Sequence, residues 1–229
     1  MKKALVLASV ASMIDQFNMP NIRLLIELGY KVDVACNFVE GSTCSDEKIA
    51  QLKATLAEMG VNCYQIDFAR NVLKVLQNLK AYCQTRRIVK EGQYDLIHSH
   101  SPIGGLLSRI AARDMRKGKG GRTKMVYTAH GFHFFKGAPL MNWMICYPIE
   151  WVSSYLTDTL ITSTKEDFAR AQAKRHAGEV EYIPGVGIDV MKFKSDVPEM
   201  VKEQKRQEIG ISMDDVMMLS VGELNKMKW

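Results

Sequence analysis

Short apolar runs alternate with helical patterns along most of the chain. The runs are nearly continuous stretches of apolar and β-branched residues, which is typical of buried strands: KALVLASV, YKVDVAC, NCYQID, YDLIHSH, KMVYTAH, TDTLITS and EVEYIP. The segments between them carry apolar residues at helical spacing, and Gly29 and Gly60 end two of them. Because this alternation is typical of parallel sheets with helices on both faces, we predict an α/β fold, a doubly wound Rossmann-like parallel sheet, over residues 1–185.

Local signals predict the ends and faces of several helices. Ser101 and Pro102 are expected at the N-cap and first position of the helix that follows YDLIHSH. The segment from Ser163 to Glu166 fits a capping box at the start of a later helix. The helix that begins in NVLKVLQNLK is predicted to carry one apolar stripe, formed by Val72, Leu76, Leu79 and Cys83.

The sequence changes character after residue 185. A connection with several glycines and prolines, PGVGIDVMKFKSDVP, leads to the polar helical segment EMVKEQKRQEIG. The apolar run from Val216 to Val221 then predicts a buried strand. We therefore interpret residues 186–229 as an interdomain connection followed by the first helix and strand of a truncated second domain.

Basic side chains are concentrated in the middle of the chain. Residues 70–136 carry 14 lysines and arginines against 3 acidic residues, whereas the whole chain has a net charge of +6. Solvated helix faces are one explanation, and a surface for phosphate groups or anionic lipid is the other. We expect no nucleic acid as a partner, because no zinc finger, RNP-type motif or recognition helix accompanies the charge.

Cysteine usage indicates a reducing compartment. The five cysteines are odd in number, and none lies in a CxxC pair. The N-terminus MKKALVLASVASM imitates a short signal peptide, but a helical pattern follows it at once, so we interpret it as the first strand. We therefore expect a cytoplasmic protein, with a peripheral position at the inner face of the cell membrane as a further expectation.

Histidines lie at the predicted carboxyl ends of two strands, where open α/β sheets bind their ligands. His98 and His100 are two residues apart in YDLIHSH and so share one face of the strand, and His130 ends KMVYTAH. A neutral imidazole beside a helix N-terminus suits a negatively charged or polyhydroxyl ligand. His98 can instead be a hydrogen-bonded core residue, and His133 can pack under a loop.

Other patterns give weaker predictions. A metal hydrolase built on HSH needs further ligands, and neither HSHSP nor AHGFH resembles HExxH, so we expect no metal. RKGKGGRTK lacks the order of a P-loop and no GxGxxG follows the first strand, so we expect no dinucleotide cofactor. The apolar stretch APLMNWMICYPIEWVSSYLTDTLI contains charged residues and Pro148, which favours a packed helix; an exposed Met and Trp face on a membrane surface is the alternative.

Five segments occur in an order and spacing that resemble one family: YDLIHSHSPIGGLLSRIAAR, YTAHGFHFF, TDTLITSTKED, YIPGVGIDVMKF and LSVGEL. Together they resemble the amino-terminal half of family-4 glycosyltransferases, retaining enzymes with two Rossmann-like domains in the GT-B arrangement, and within them the bacterial capsule and exopolysaccharide type. The resemblance implies transfer of a sugar from a nucleotide sugar, with a UDP-sugar expected, to a lipid-diphosphate-linked acceptor. It implies no metal and no other cofactor.

The resemblance also implies roles for individual residues. His130 matches the histidine that approaches the donor sugar and is the expected catalytic residue. His98 and His100, followed by Ser101, match the acceptor side. The family's glycine-rich loop after the first strand is replaced here by SVASMIDQFNMP, so the acceptor is expected to contact Gln16, Phe17 and Asn18.

The end of the sequence resembles the donor-diphosphate loop of the family. Gly222 matches its glycine and Lys228 its phosphate-binding lysine, whereas Glu223 stands where many members have an arginine. The later pair of glutamates that the family uses is absent, so we expect this polypeptide alone to be inactive or nearly so. The alternative is a free-standing module that binds the acceptor or an anionic membrane and complements a separate donor subunit.

Overall fold

The structure is a computed structural model that describes residues 1–40, 43–69, 74–116, 123–173, 176–187, 190–193 and 197–220. The chain divides into two compact units, Met1–Val186 and Gly187–Trp229. This division falls next to the predicted one. The identity of the second unit as the beginning of a donor domain stays a prediction.

The first unit is built on a parallel sheet. Its strands are β1 (Lys3–Val10), β2 (Lys31–Asn37), β3 (Asn62–Gln65), β4 (Leu96–His100), β5 (Lys124–Ala129), β6 (Thr159–Thr162) and β7 (Glu179–Tyr182). They lie in the order β3-β2-β1-β4-β5-β6-β7, and every strand pair in the described part of the chain is parallel. The predicted fold class is therefore confirmed. The strand order reverses between β1 and β4, and ligands of such sheets bind beyond the carboxyl ends of the strands at this point.

Helices connect these strands. After β1 the chain forms α1 (Ala11–Met13), a π-helical turn (Ile14–Asn18) and α2 (Met19–Glu27). The other helices of the first unit are α3 (Asp46–Glu58), α4 (Val75–Gly92), α5 (Pro102–Arg116), α6 (Leu140–Ser154) and α7 (Lys165–Ala173), and those described in the second unit are α8 (Val190–Phe193) and α9 (Glu199–Glu208). Helices α2 to α7 and α9 fall where the periodicity predicts them, with Pro148 inside α6.

Strand β1 contributes to the cores on both faces of the sheet. Val6 belongs to the same buried cluster as Leu56 of α3, and Leu5 belongs to the cluster that includes Ile88 of α4. Successive strand residues point to opposite faces, so a strand covered on both sides is apolar at almost every position. This burial explains the unbroken apolar run KALVLASV.

The predicted apolar stripe of α4 is wrong. Leu76 is 84% exposed, Leu79 and Cys83 are exposed as well, and Val72 lies outside the described residues. The buried side of α4 is instead formed by Ala81, Thr85, Ile88 and Val89. Ala81 belongs to a buried cluster that also contains Leu5 of β1 and Ala112 of α5, and this packing outweighs the larger residues of the predicted stripe.

The predicted strand from Val216 to Val221 is also wrong for the residues that the structure describes. Residues 216–220 form no strand, and Val216 is 93% exposed. A strand needs a neighbouring strand to satisfy its backbone N–H and C=O groups. The described residues of the second unit contain helices and irregular segments but no strand that could pair with this run.

Helix α7 begins one residue later than the predicted capping box. The hydroxyl of Thr164, not that of Ser163, accepts a hydrogen bond from the backbone N–H of Asp167 at 3.1 Å. Glu166 accepts the backbone N–H of Lys136 instead of capping its own helix. The acidic residue thus ties α7 to the loop that follows β5.

Helix α6 has one packed side and one exposed side. Its exposed side, here named the α6 apolar face, is formed by Met141, Met144, Ile145 and Val152. These residues recur at spacings of three, four and seven, which places them on one side of the helix. No described helix is both long enough and apolar enough to cross a membrane.

Candidate functional site

Three histidines meet where β4 and β5 end, and we name them the histidine cluster: His98, His100 and His130. The two strands are neighbours in which His100 lies opposite Thr128, so His130, just beyond β5, comes next to His100. The ring centroids of His98 and His100 are 4.2 Å apart, and those of His100 and His130 are 5.4 Å apart. The structure therefore brings together three histidines that the sequence predicts as site residues.

Hydrogen bonds connect the cluster across the two strands. Nε2 of His98 lies 2.8 Å from the hydroxyl of Thr128, and Nδ1 of His100 lies 3.2 Å from Nε2 of His130. His100 is almost completely buried, whereas His98 and His130 are half-buried. Since His100 does not reach the surface, it can act on a ligand only through its neighbours.

Burial lowers the pKa of all three imidazoles, because it penalises the charged form. The pKa of His98 falls to about 4, through burial first and the charge of a protonated His130 second. The pKa of His100 falls well below its usual value, through burial and then through its two histidine neighbours. Burial is also the cause of the lowered pKa of His130. The cluster is therefore uncharged at neutral pH.

Ser101 follows the cluster and contacts β1. It has a positive φ of 65°, and its hydroxyl lies 2.6 Å from the hydroxyl of Ser9. Ser101 and Pro102 occupy the predicted N-cap and first positions of α5, but it is the hydroxyl of Ser9 that accepts the backbone N–H of Gly104, at 3.3 Å. A Cβ at Gly104 would lie 3.1 Å from the Ser101 hydroxyl and 3.2 Å from Leu7, so glycine permits this close approach. Strand β1 thus fixes the start of α5 beside His100.

The segment predicted to contact the acceptor forms the π-helical turn after β1. Phe17 is 37% exposed, and its ring centroid lies 6.2 Å from that of His130. Gln16 is exposed as well. Asn18 is completely buried, donates to the carbonyl of Met13 and accepts from the side chain of Asn21. Two of the three predicted residues therefore present side chains at the surface, and Asn18 stabilises the turn.

A cleft of about 550 Å³ lies between α5 and α6. One of its lining residues is Gly131, which directly follows His130 in the chain. Its walls are mostly apolar and include Ile103, Leu106, Phe132, Cys146 and Ile149. No local pattern in the sequence predicts this cleft, because its walls come from two helices and a loop that are far apart in the chain. Such a cleft suits the apolar part of a ligand bound near the histidine cluster.

An ion pair that sequence reasoning missed joins the two helices that flank the cleft. The guanidinium of Arg109 makes two hydrogen bonds to the carboxylate of Glu150, at 2.7 and 2.8 Å. A signal was present in the sequence, since Arg109 lies in the middle of a stripe of small residues on α5 that includes Gly105 and Ala112. An arginine on the buried side of a helix requires a partner.

The remaining predictions have different outcomes. Gly222 and Lys228, predicted for the donor diphosphate, lie outside the described residues. Among the residues that the structure describes, no three histidine, cysteine or acidic side chains are grouped so that they could hold a metal ion. The hypothesis of a metal hydrolase therefore gains no support from the described part of the chain.

Comparison with known proteins identifies the family. A family model described as glycosyl transferase 4-like matches residues 6–164, which include the histidine cluster and the segments that flank it. The chain belongs to the glycosyl transferase 4-like family. The family resemblance inferred from the five sequence segments is thereby confirmed.

Two curated relatives of this family-4 chain cover different shares of it. A putative glycosyltransferase EpsD of Bacillus subtilis (strain 168) is 35% identical over 226 residues, which are 98% of this chain and 54% of the relative. A UDP-Gal:α-D-GlcNAc-diphosphoundecaprenol α-1,3-galactosyltransferase of Escherichia coli is 27% identical over 151 residues, which are 63% of this chain and 37% of the relative. The chain thus spans about half, or less, of the length of the curated relatives that it matches.

Solved structures share the fold. A sucrose-phosphate synthase from Thermosynechococcus elongatus superposes with a TM-score of 0.56 at 14% sequence identity, over 93% of this chain and 54% of the other. At this level of identity the likeness shows the fold alone.

Proposed function

We propose that this chain supplies the acceptor-side half of a retaining glycosyltransferase that moves a sugar from a UDP-sugar to a lipid-diphosphate-linked acceptor in surface polysaccharide synthesis. Family membership supports the reaction class. The name of the Escherichia coli relative specifies a UDP-sugar and a diphosphoundecaprenol-linked acceptor, which supports both substrate classes. The observation that carries the proposal is the uncharged His130 at the carboxyl edge of the sheet, beside a cleft with apolar walls.

The residues at this edge divide between the two substrates in our proposal. Transfer breaks the bond between the anomeric carbon and the diphosphate oxygen, and the electron pair leaves with the UDP. The anomeric carbon is joined to the acceptor hydroxyl oxygen, whose proton passes to the departing diphosphate. A neutral His130 offers a hydrogen bond to a hydroxyl of the donor sugar without adding charge. Phe17 is exposed near it, and Gln16, the residue before Phe17, is exposed as well, so both suit the acceptor. We assign Gly222 and Lys228 to the donor diphosphate.

We further propose that the α6 apolar face rests on an anionic membrane surface, where a lipid-linked acceptor is found. The single charged residue of α6, Glu150, is neutralised by Arg109 on the opposite side, so the exposed side carries no charge. The excess of lysine and arginine over residues 70–136 suits an anionic surface. A free-standing module that binds the acceptor or the membrane stays the alternative function.

A chimera tests the proposed reaction. The whole 229-residue chain is joined to the part of the Bacillus subtilis relative that this chain does not cover, and transfer of labelled sugar from UDP-sugars to lipid diphosphates is measured. We expect transfer, and we expect His130→Ala to lower its rate by roughly a hundredfold or more, the usual effect of removing a key hydrogen-bond donor. His176→Ala, at a histidine that lies outside both the cluster and the cleft and packs against Tyr155, is the control. A fully active His130→Ala chimera would contradict the role of His130, and lipid binding without transfer would favour the alternative.

A further inference from the structure

Only one of the two ring nitrogens of His100 has a hydrogen-bond partner. Its Nδ1 lies 3.2 Å from Nε2 of His130, while its Nε2 is buried and has no partner among the described residues. A neutral imidazole carries a single N–H, which sits on one nitrogen or the other. The proton between the two rings can therefore be arranged in two ways.

The two arrangements leave different groups unpaired. If Nε2 of His130 donates, Nδ1 of His100 must accept, and the proton of His100 sits on its buried Nε2, where it has no acceptor. If Nδ1 of His100 donates, only a lone pair at its Nε2 is unpaired. Buried N–H groups without a partner are rarer in native proteins than unsatisfied acceptors. The geometry therefore favours donation from His100 to His130.

We propose that His100 is a positioning residue that sets the tautomer of His130. The Nδ1–H of His100 donates to Nε2 of His130, and the proton of His130 is consequently held on its Nδ1. The nitrogen of His130 that remains for a ligand is then a hydrogen-bond donor and not a base. One consequence rests on the proposed function: the N–H of His130 is then offered to a hydroxyl oxygen of the donor sugar. The tautomer itself does not depend on that function.

The surroundings of the pair support this assignment. Burial lowers the pKa of both imidazoles, so both are neutral and the choice of tautomer is a real one at pH 7. His98 is hydrogen-bonded to the hydroxyl of Thr128 and does not pair with the free nitrogen of His100. The start of α5, fixed by Ser9, holds the backbone that follows His100. His100 is thus held in place by its surroundings, and its hydrogen bond to His130 fixes the ring of His130 in turn.

The tautomer is measured directly by ¹⁵N NMR of the 229-residue chain labelled at its five histidines, without any substrate. At pH 7 we expect Nδ1 of His130 and Nδ1 of His100 to give the shifts of protonated ring nitrogens, and Nε2 of both to give those of unprotonated ones. Single substitutions assign the signals. Once the signals are assigned, a wild-type spectrum in which Nε2 of His130 carries the proton would by itself overturn the proposal.

Two variants separate positioning from a merely structural role. His100→Asn keeps an amide N–H close to the position of Nδ1 and is expected to keep His130 as the Nδ1–H tautomer. His100→Leu removes the donor, so we expect His130 to lose its single tautomer and to show a mixture. His133→Gln removes an exposed histidine outside the cluster and is expected to change nothing at His130. An unchanged single tautomer in folded His100→Leu would reject the proposal.

The NMR experiment tests the tautomer assignment and the transfer assay tests the proposed function, so either claim can be rejected without the other. A chimera that transfers sugar while His130 carries its proton on Nε2 would reject the tautomer assignment and leave the proposed function intact. A chimera without transfer whose His130 is the Nδ1–H tautomer would reject the function and leave the structural assignment intact.

Discussion

Arg109 is completely buried, and its guanidinium is held between the carboxylate of Glu150 and the ring of Tyr127, 4.2 Å from the ring centroid. The arginine belongs to α5 and the glutamate to α6, so the pair joins the two helices that flank the cleft. A buried guanidinium has lost its hydration, and the paired carboxylate offsets that loss. The position of α6, and with it the shape of the cleft, therefore depends on this pair.

Removing one partner of this pair should be far more damaging than removing both. Glu150→Met leaves a buried, unpaired guanidinium and is predicted to lower the free energy of unfolding by about 3–5 kcal/mol. In the double variant with Arg109→Met, two apolar side chains replace two charges, and most of that loss should be recovered. Urea unfolding at pH 7, followed by circular dichroism, measures both effects.

An exposed ion pair serves as the matched control. Arg86 and Asp114 are 2.7 Å apart, but both side chains are partly open to solvent. Asp114→Asn should therefore change the unfolding free energy little, because exposed pairs contribute little. Equal losses from Asp114→Asn and Glu150→Met, or a double variant as unstable as Glu150→Met, would contradict our account.

The low pKa of His98 predicts a loss of stability in mild acid. The pKa is about 4 in the folded protein and about 6.5 in an unfolded chain. Between these values the unfolded state binds more protons, so the unfolding free energy falls as the pH drops from about 6.5 to about 4 and is unaffected by this group above that range. The full difference corresponds to about 3 kcal/mol. Urea unfolding at pH 7.5, 6.0 and 5.0 measures this fall.

Substitution of single histidines separates the effect of His98 on the pH dependence of the unfolding free energy from the effect of the carboxylates. His98→Asn should make the pH dependence between pH 7.5 and 5.0 less steep, whatever its effect on stability at neutral pH, while the lowered pKa values of His100 and His130 keep the rest of the slope. His133→Asn, at an exposed histidine, should leave the slope as it is in the wild type. If His98→Asn and the wild type lose the same free energy over this range, the pKa of His98 does not differ between the folded and unfolded states.

Local patterns predicted most of the fold and the residues that form the histidine cluster. A strand that is buried on both faces is apolar at almost every position, so the apolar runs in the sequence predicted β1 and its neighbouring strands. His98, His100 and His130 were found for a related reason, because parallel strands bring their carboxyl ends to the same edge of the sheet.

The features that the sequence did not predict depend on residues distant in the chain. Ser9 caps a helix that begins more than 90 residues later, and no local pattern identifies such a donor and acceptor pair. Packing against α5 determines which side of α4 is buried. The spacing of apolar residues does not contain this information, so it predicted that the side with larger residues such as Leu76 would be buried. The cleft likewise exists only once α5, α6 and the loop after β5 are assembled.

Our proposal that the α6 apolar face rests on a membrane predicts the effect of a charge introduced there. Met144→Glu replaces an apolar side chain that is 63% exposed, so the unfolding free energy should change little. Binding to vesicles that contain anionic lipid should weaken roughly ten- to a hundredfold, because the variant loses apolar burial in the membrane and gains repulsion from the lipid charge. Co-sedimentation with vesicles measures this binding.

The matched control distinguishes a defined surface from general attraction. Leu28 is an apolar residue of similar exposure that lies outside both α6 and residues 70–136, so Leu28→Glu introduces the same charge at a different site and should weaken binding far less than Met144→Glu. Charge attraction acts over a Debye length of about 10 Å at 0.1 M salt, so binding should also fall as salt is raised. Equal losses in the two variants would show that net charge, not α6, determines binding. Equal binding to neutral and anionic vesicles would reject the contribution of the basic residues and leave an apolar contact alone.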